Sequence, residues 1–179
     1  MRLLEPDLDW LPCLPEEFRK RRVSLTTLGA CREMVDPAFI KPPNDKSFPA
    51  RVYTGSELPR EYNEDSPVLV AEVVAWEKEF RCFVLDRQIR TISVYLRGGE
   101  LQRDRDFAAS ESELAEVESF VGKILADDRI DLPRTAVLDV GVIAGRGWAV
   151  VEQNAAWGSG NGCNPVQVLE VLRYASVPV

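Results

Sequence analysis

The stretch TAVLDVGVIAGRGWAVVEQN, residues 135–154, consists of two apolar segments separated by the sequence AGRG at 144–147. Short β-branched segments on either side of a glycine-containing turn predict a β-hairpin. If the central two residues of AGRG form the turn, counting outwards places Asp139 directly opposite Glu152, and a four-residue loop at 144–147 gives the same pairing. Asn154 follows two residues later and therefore lies on the same strand face as Glu152.

Two carboxylates that face each other across a hairpin repel, and a divalent cation between them would turn this cost into a binding site. Carboxylate and amide oxygens are the ligands that Mg²⁺ prefers. The pattern therefore predicts a metal site, with a solvent-exposed face that carries two acids as the alternative. If the metal reading holds, the pair is strained without a cation, and Asp139→Asn or Glu152→Gln should leave the apoprotein at least as stable.

Patterns on either side of this hairpin predict further strands and two helices. Strands are predicted at 38–41, 51–54, 68–74, 78–85 and 89–97. A capping box at Ser110–Glu113 opens an amphipathic helix, and Asn164-Pro165 opens another near the end of the chain. Residues 1–36, with three prolines, are predicted as an irregular lead-in. The series indicates an α+β fold with a mostly antiparallel sheet.

The composition excludes several kinds of active site. The 179 residues contain no histidine, which rules out a Ser-His-Asp triad, a Cys-His dyad and an HExxH zinc site. The four cysteines form no CxxC motif, so we expect reduced thiols in a cytoplasmic protein. Any metal should therefore be held by oxygen ligands, which favours Mg²⁺ or Mn²⁺.

The charge balance and hydropathy argue against nucleic-acid and membrane partners. There are 22 Lys and Arg residues against 29 Asp and Glu, a net charge of −7, whereas nucleic-acid binders usually present a basic face. The longest apolar stretch, 67–76, contains Glu72 and is too short to span a bilayer. The first residues lack the apolar region of a signal peptide, so we expect a cytoplasmic location.

Two lysines are candidates for phosphate binding. Lys41 ends a predicted strand, and Lys46 follows the turn sequence PPND at 42–45. Two lysines on one loop can bind a polyphosphate as point charges, although surface lysines with no ligand are the common alternative.

A charged stripe is predicted on two neighbouring strands. Glu79 and Arg81 share a strand face, and Arg97 ends the next strand. A three-residue loop at 86–88 would place Arg81 opposite Ser93 and turn Arg97 to the same face, whereas a two-residue loop would turn Arg97 to the other side. The sequence leaves both registers open. The alternative to a functional role is that these charged residues form ordinary cross-strand ion pairs on an exposed face.

Taken in order, these segments resemble the ATP-grasp enzymes, and within them small ATP-grasp proteins of phages and bacteria. The resemblance covers about residues 37–175. It rests on FIKP at 39–42, Lys46, VLVAEVV at 68–74, EFRCFV at 79–84, YLR at 95–97, Asp139 and EQN at 152–154.

The resemblance implies the ATP-grasp fold, in which two lobes with mostly antiparallel sheets clamp a nucleotide. The lead-in at 1–36 would precede a core at 37–179. The first lobe would span about 37–76 and the second about 77–179.

The resemblance also implies roles for residues that would bind the nucleotide. Lys41 would bind the α- and β-phosphates, and Lys46 would close over them. Glu72 would approach the adenine amino group, and the backbones of Val73 and Ala75 would meet the edge of the ring.

The remaining implied roles concern the ribose, the transferred phosphate and the metal. Glu79 would bind the ribose hydroxyls, while Arg81 and Arg97 would act as catalytic residues facing the γ-phosphate and the acyl phosphate. The implied ligands of Mg²⁺ or Mn²⁺ are Asp139, Glu152 and Asn154.

The resemblance implies an ATP- and Mg²⁺-dependent ligase that joins a carboxylate to an amine through an acyl phosphate. Such chemistry relies on positioning and charge neutralisation, so it needs no histidine. The substrates would be small-molecule or peptide carboxylates and amines. A homo-oligomer, or a partner protein that supplies the acceptor site, stays open. The alternative is a nucleotide-binding module without ligase activity that acts through a protein partner.

Overall fold

The computed structural model describes residues 1–160 and 162–178 and divides into two compact units. The first unit comprises residues 7–16 and 21–74, and the second comprises residues 1–6, 17–20 and the chain from Ala75 onwards. None of the described helices is long and apolar enough to cross a membrane.

The described residues form eleven strands and five α-helices. The strands are β1 (Arg2–Leu3), β2 (Val23–Thr27), β3 (Ala38–Lys41), β4 (Arg51–Tyr53), β5 (Pro67–Ala71), β6 (Trp76–Leu85), β7 (Gln88–Arg97), β8 (Glu100–Leu101), β9 (Thr135–Ile143), β10 (Gly147–Asn154) and β11 (Ser176–Val177). The helices are α1 (Trp10–Cys13), α2 (Glu16–Arg19), α3 (Leu28–Arg32), α4 (Glu111–Ala126) and α5 (Pro165–Leu172).

The first unit is built on an antiparallel sheet in the order β2-β5-β3-β4. β5 lies between two neighbours, and it is buried on both faces at Val68 and Leu69, which explains why its sequence is almost continuously apolar. Apolar side chains of β3, β4, β5, α3 and the connecting loops form one core. Its buried members are Leu28, Cys31, Ala38, Ile40, Phe48, Tyr53, Leu58 and Val68.

The expectation of an irregular lead-in is wrong for residues 23–32. β2 pairs with β5 over its whole length, with Val23 opposite Ala71 and Thr27 opposite Pro67. Thr27 then caps α3, because its Oγ1 accepts a hydrogen bond from the amide of Ala30 at 3.3 Å. The three prolines of the region all precede these elements, so they do not interrupt them.

The second unit is built on an antiparallel sheet in the order β10-β9-β6-β7-β8. β9 lies between β10 and β6 and is buried along almost all of its length. α4 covers one face of the sheet with Val117, Phe120, Val121, Ile124 and Leu125. α5 packs on the opposite face, where Val168 and Val171 join Phe83, Leu85 and Val137 in one cluster.

The predicted capping box begins α4. The Ser110 hydroxyl oxygen accepts a hydrogen bond from the amide of Glu113 at 3.3 Å, and a carboxylate oxygen of Glu113 accepts one from the amide of Ser110 at 3.1 Å. Two orphan amides are thereby satisfied. The sequence thus predicts both the start of this helix and its apolar face correctly.

Candidate active site

A β-bulge in the 135–154 hairpin sets the positions of its polar side chains. The turn has three residues, since Ile143 pairs with Gly147, and the register shifts by one residue at Val151. Beyond the bulge, Glu152 lies opposite Asp139. The predicted pairing of the two acids is therefore confirmed, whereas the register counted from the turn is wrong for the first four pairs.

A buried arginine lies directly across from Asp139 on β6. Arg81 donates hydrogen bonds from Nε to Asp139 Oδ1 at 2.9 Å and from Nη2 to Asp139 Oδ2 at 2.6 Å. The two side chains are 8% and 3% exposed. Burial disfavours the charge of the guanidinium, but the hydrogen bonds and negative charge of Asp139 outweigh this effect and raise the pKa of Arg81. The Arg81 side chain of this pair therefore keeps its positive charge despite its burial.

Asn154 joins the two acids of the hairpin. Its Nδ2 donates to Asp139 Oδ2 at 3.1 Å and to Glu152 Oε1 at 2.9 Å. The expectation that only a metal ion relieves the repulsion between the acids is wrong, because Arg81 already neutralises Asp139 and Asn154 bridges the two carboxylates. We call Arg81, Asp139, Glu152 and Asn154 the carboxylate cluster.

The donor set of the carboxylate cluster fits a magnesium ion. Asn154 Nδ2 lies within hydrogen-bond distance of one oxygen of each carboxylate, so both acids are close to the same amide, and a half-turn of that amide would present its oxygen beside theirs. Within residues 1–160 and 162–178, no three His, Cys, Asp or Glu side chains are grouped closely enough to hold a metal ion. Mg²⁺ sites commonly use only one or two carboxylates and complete their shell with water and phosphate.

The β6–β7 hairpin combines the two registers that the sequence left open. Its turn has two residues, Asp86 and Arg87, both at positive φ, yet Arg81 still lies opposite Ser93 because the register shifts between them. A second shift follows at Tyr95, and Arg97 then pairs with Lys78. Successive bulges thus change which face each later side chain occupies.

Arg97 consequently lies away from Arg81, on the face that α4 covers. Its Nη1 and Nη2 donate to the two carboxylate oxygens of Glu113 at 2.8 and 2.9 Å. Lys78 lies 3.5 Å from the same carboxylate. The structure therefore does not bring the two predicted catalytic arginines together.

The Arg97–Glu113 pair predicts a specific acid sensitivity. Hydrogen bonds from Arg97, and then from Ser110, lower the pKa of Glu113 from 4.5 to about 2 despite some burial. Because the folded-state pKa is depressed, this stabilisation is complete above pH 4.5 and is lost as the pH falls towards 2. We expect Glu113→Gln, which can still cap α4, to reduce the pH dependence of the unfolding free energy in this window. Urea unfolding at pH 6 and pH 3 measures this free energy in the variant and the unaltered protein. An equal difference between the two pH values in both proteins would contradict the prediction.

Glu79 lies two residues before Arg81, on the same face of β6, and is buried. Its backbone pairs with Gly141, where a Cβ would lie 2.6 Å from the Lys78 carbonyl oxygen and 3.2 Å from Glu79 Cγ. Only glycine therefore fits at this point of β9, and its small size leaves room for the Glu79 side chain.

The other predicted nucleotide-binding residues, except Ala75, belong to the first unit. Lys41 ends β3 and is half-buried, and Lys46 is exposed in the loop that follows. Asp45 Oδ1 accepts a hydrogen bond from the Ser47 amide at 2.8 Å, which shapes the backbone around Lys46. Glu72 accepts a hydrogen bond from the Arg22 amide at 3.2 Å.

The last two predicted contacts lie on either side of the division between the units. Val73 is 49% exposed and belongs to the first unit. Ala75 opens the second unit, and its carbonyl oxygen accepts a hydrogen bond from the Ala144 amide at 2.9 Å.

Two groups that surround Arg81 are not among the predicted site residues. The ring of Tyr95 stacks on the guanidinium, with 4.3 Å between Cζ and the ring centroid. The carbonyl oxygen of Gly160 accepts from Arg81 Nη1 at 3.4 Å. A weak signal for Tyr95 existed, because pairing Arg81 with Ser93 makes Tyr95 a diagonal neighbour.

Solved structures similar to this chain share its architecture. A D-alanine–D-alanine ligase from Bacillus anthracis in complex with ATP has 15% identity and a TM-score of 0.55, with 89% of this chain and 61% of that chain covered. The ADP complex of purK, an N5-carboxyaminoimidazole ribonucleotide synthetase, has 15% identity and a TM-score of 0.51, with 76% and 40% covered. A RimK domain ATP-grasp protein from Sphaerobacter thermophilus has 17% identity and a TM-score of 0.45, with 76% and 52% covered.

The two similarities with TM-scores above 0.5 show the fold. The chain spans only 40 to 61% of the length of the three proteins. A search of curated proteins finds no significant match. A family model described as "ATP-grasp domain, R2K clade family 2" matches residues 18–171, which is most of the chain. The α+β architecture agrees with this match, and the chain belongs to the ATP-grasp superfamily, in family 2 of its R2K clade.

Proposed function

We propose that this chain is an ATP- and Mg²⁺-dependent ligase that joins a carboxylate to an amine through an acyl phosphate. Family membership supports ATP-dependent ligation in general, because the similar solved structures include ligases. The carboxylate cluster is the observation that carries the proposal for this chain. It combines an ionised arginine, two carboxylates and an amide on adjacent strands, and phosphoryl transfer needs positioned charges of both signs.

In this proposal Asp139, Glu152 and Asn154 hold the divalent cation, either Mg²⁺ or Mn²⁺. When bound, the cation neutralises charge on the phosphates of ATP. Asp139 can bind it while keeping Arg81, because the half-turn of the Asn154 amide that turns its oxygen towards the cation also frees the second lone pair of Asp139 Oδ2. Glu152 accepts a hydrogen bond from the Asn154 amide and would supply the second charged ligand.

Arg81 is assigned to the transferred phosphoryl group. Two of its three nitrogens bind Asp139, and the third, Nη1, has one long hydrogen bond, to Gly160, among residues 1–160 and 162–178. Nη1 can therefore donate to a phosphate oxygen without breaking the ion pair. Arg97 is not assigned to this group, because it lies on the opposite face of the sheet and donates two hydrogen bonds to Glu113.

The remaining contacts follow the family resemblance. We assign Lys41 and Lys46 to the phosphates, Glu72 with the backbones of Val73 and Ala75 to the adenine, and Glu79 to the ribose hydroxyls. A carboxylate oxygen of the substrate attacks the γ-phosphorus and releases ADP. The amine nitrogen then attacks the acyl carbon, which forms the C–N bond, releases inorganic phosphate and passes the amine proton to solvent.

Formation of ADP tests this proposal. We expect ADP release with Mg²⁺ and ATP when amino acids and short peptides are screened as carboxylates and amines, and none when EDTA removes the metal. Hydroxylamine as a substitute amine should trap the acyl phosphate as a hydroxamate. ATP binding without ADP release across the screen would instead favour a nucleotide-binding module that acts through a protein partner.

A further inference from the structure

Tyr95 occupies a special backbone position beside the carboxylate cluster. Phe80 pairs with Val94 and Glu79 pairs with Leu96, so Tyr95 is the extra residue of a β-bulge in β7. Bulges near functional sites commonly redirect a side chain. This bulge leaves Tyr95 over the guanidinium of Arg81 and sends Arg97 to the opposite face. The same bulge therefore places Tyr95 beside Arg81 and keeps Arg97 away from the carboxylate cluster.

The contacts of Arg81 restrain it in different ways. The bonds from Nε and Nη2 to Asp139 fix one edge of the guanidinium, but they still allow it to tilt about the line through those two nitrogens. Arg81 Cζ lies over the Tyr95 ring, 4.3 Å from its centroid, so the ring opposes that tilt. The 3.4 Å contact of Nη1 with Gly160 is too long to hold the third corner firmly.

We propose that Tyr95 is a positioning residue, whose ring keeps the Arg81 guanidinium flat so that Nη1 meets the terminal phosphoryl group of a nucleoside triphosphate. This rests on the proposed function, because Arg81 has to reach that group. The proposal predicts different effects on the binding of ATP and the binding of ADP. A group that meets only the terminal phosphoryl group strengthens the binding of ATP and contributes nothing to the binding of ADP.

The ratio of the ADP and ATP dissociation constants, measured by calorimetry with Mg²⁺, tests the proposal. We expect Tyr95→Leu to lower the preference for ATP roughly tenfold, as loss of a desolvated cation–π contact would, and Arg81→Lys to lower it at least as much. Tyr95→Phe keeps the ring and should keep the preference. A merely structural role would weaken both nucleotides together and leave the ratio unchanged.

A second tyrosine provides a matched control. Tyr174 stacks on Arg134 at 4.0 Å, and neither residue belongs to the carboxylate cluster. Tyr174→Leu should therefore leave the ratio at the value of the unaltered protein. If Tyr95→Leu does not fold, Tyr95→Met, which fills similar space without an aromatic ring, carries the same expectation.

The outcomes separate this inference from the proposed function. An unchanged ratio in Tyr95→Leu, or an equal loss in Tyr95→Phe, would overturn the positioning role while ATP binding stands. Equal affinity for ATP and ADP in the unaltered protein would also overturn it, since Arg81 would then not meet the terminal phosphate. Failure of the unaltered protein to bind either nucleotide would overturn the proposed function and this inference with it.

Discussion

Asp139→Asn should destabilise the protein strongly, by about 3 kcal/mol or more in the free energy of unfolding. The substitution leaves the positive charge of Arg81 buried, with a neutral amide where its carboxylate partner stood. Removing one partner of a buried ion pair typically costs about 3–5 kcal/mol, because the remaining charge stays desolvated. Urea unfolding of the metal-free protein at neutral pH measures the difference.

Glu152→Gln is the matched control for this prediction. Glu152 lies opposite Asp139, but the hydrogen bond that it receives from Asn154 can be accepted equally by a glutamine oxygen. We expect a change of about 1 kcal/mol or less, within the range of an ordinary hydrogen bond. Equal stability of Asp139→Asn and the unaltered protein would show that the buried charge of Arg81 does not need Asp139. It would then favour the first expectation, that Asp139 and Glu152 repel each other until a cation binds.

Glu152→Gln should have its large effect on metal-dependent nucleotide binding. A neutral amide oxygen is a poorer ligand for a hard divalent cation than a carboxylate, and the protein then offers one charged ligand instead of two. We expect the affinity for ATP in the presence of Mg²⁺ to fall roughly 100-fold, the upper end of what altering the surroundings of a metal typically costs. Asn154→Ala should be milder, because water can replace a neutral ligand.

The parts of the fold that the sequence predicts correctly are those with local causes. The capping box fixes the start of α4, and Asn164-Pro165 fixes the start of α5 through hydrogen bonds from the amides of Val166 and Gln167 to Asn164 Oδ1. The apolar alternation of the 135–154 hairpin is equally local. Such signals depend only on neighbours within a few residues.

The bulges could not be predicted in this way. The shifts at Tyr95 and Val151 change which face every later side chain occupies, yet no glycine or proline marks them. They follow from packing on the two faces of the sheet, which the sequence of one hairpin does not contain. This is why the pairing of Asp139 with Glu152 is correct although the counted turn is wrong, and why Arg97 lies on the other face.

The contact between Arg81 and Asp139 depends on the order of the strands in the sheet. The two residues are 58 positions apart, and they meet only because β9 inserts between β6 and β10. Strand order between distant hairpins is not specified by periodicity. The sequence therefore predicts the acids of the carboxylate cluster and its asparagine, and separately the arginine, but not the buried ion pair that joins them.

Calorimetric titration of the protein with ATP, in Mg²⁺ and then in EDTA, tests the central claim most directly. We expect saturable ATP binding with Mg²⁺, loss of most of that affinity in EDTA, and a similar loss in Mg²⁺ for Glu152→Gln. Absence of ATP binding by the unaltered protein would contradict the account. Equal binding in Mg²⁺ and EDTA, unaffected by Glu152→Gln, would contradict it as well, because the carboxylate cluster would then hold no metal that serves the nucleotide.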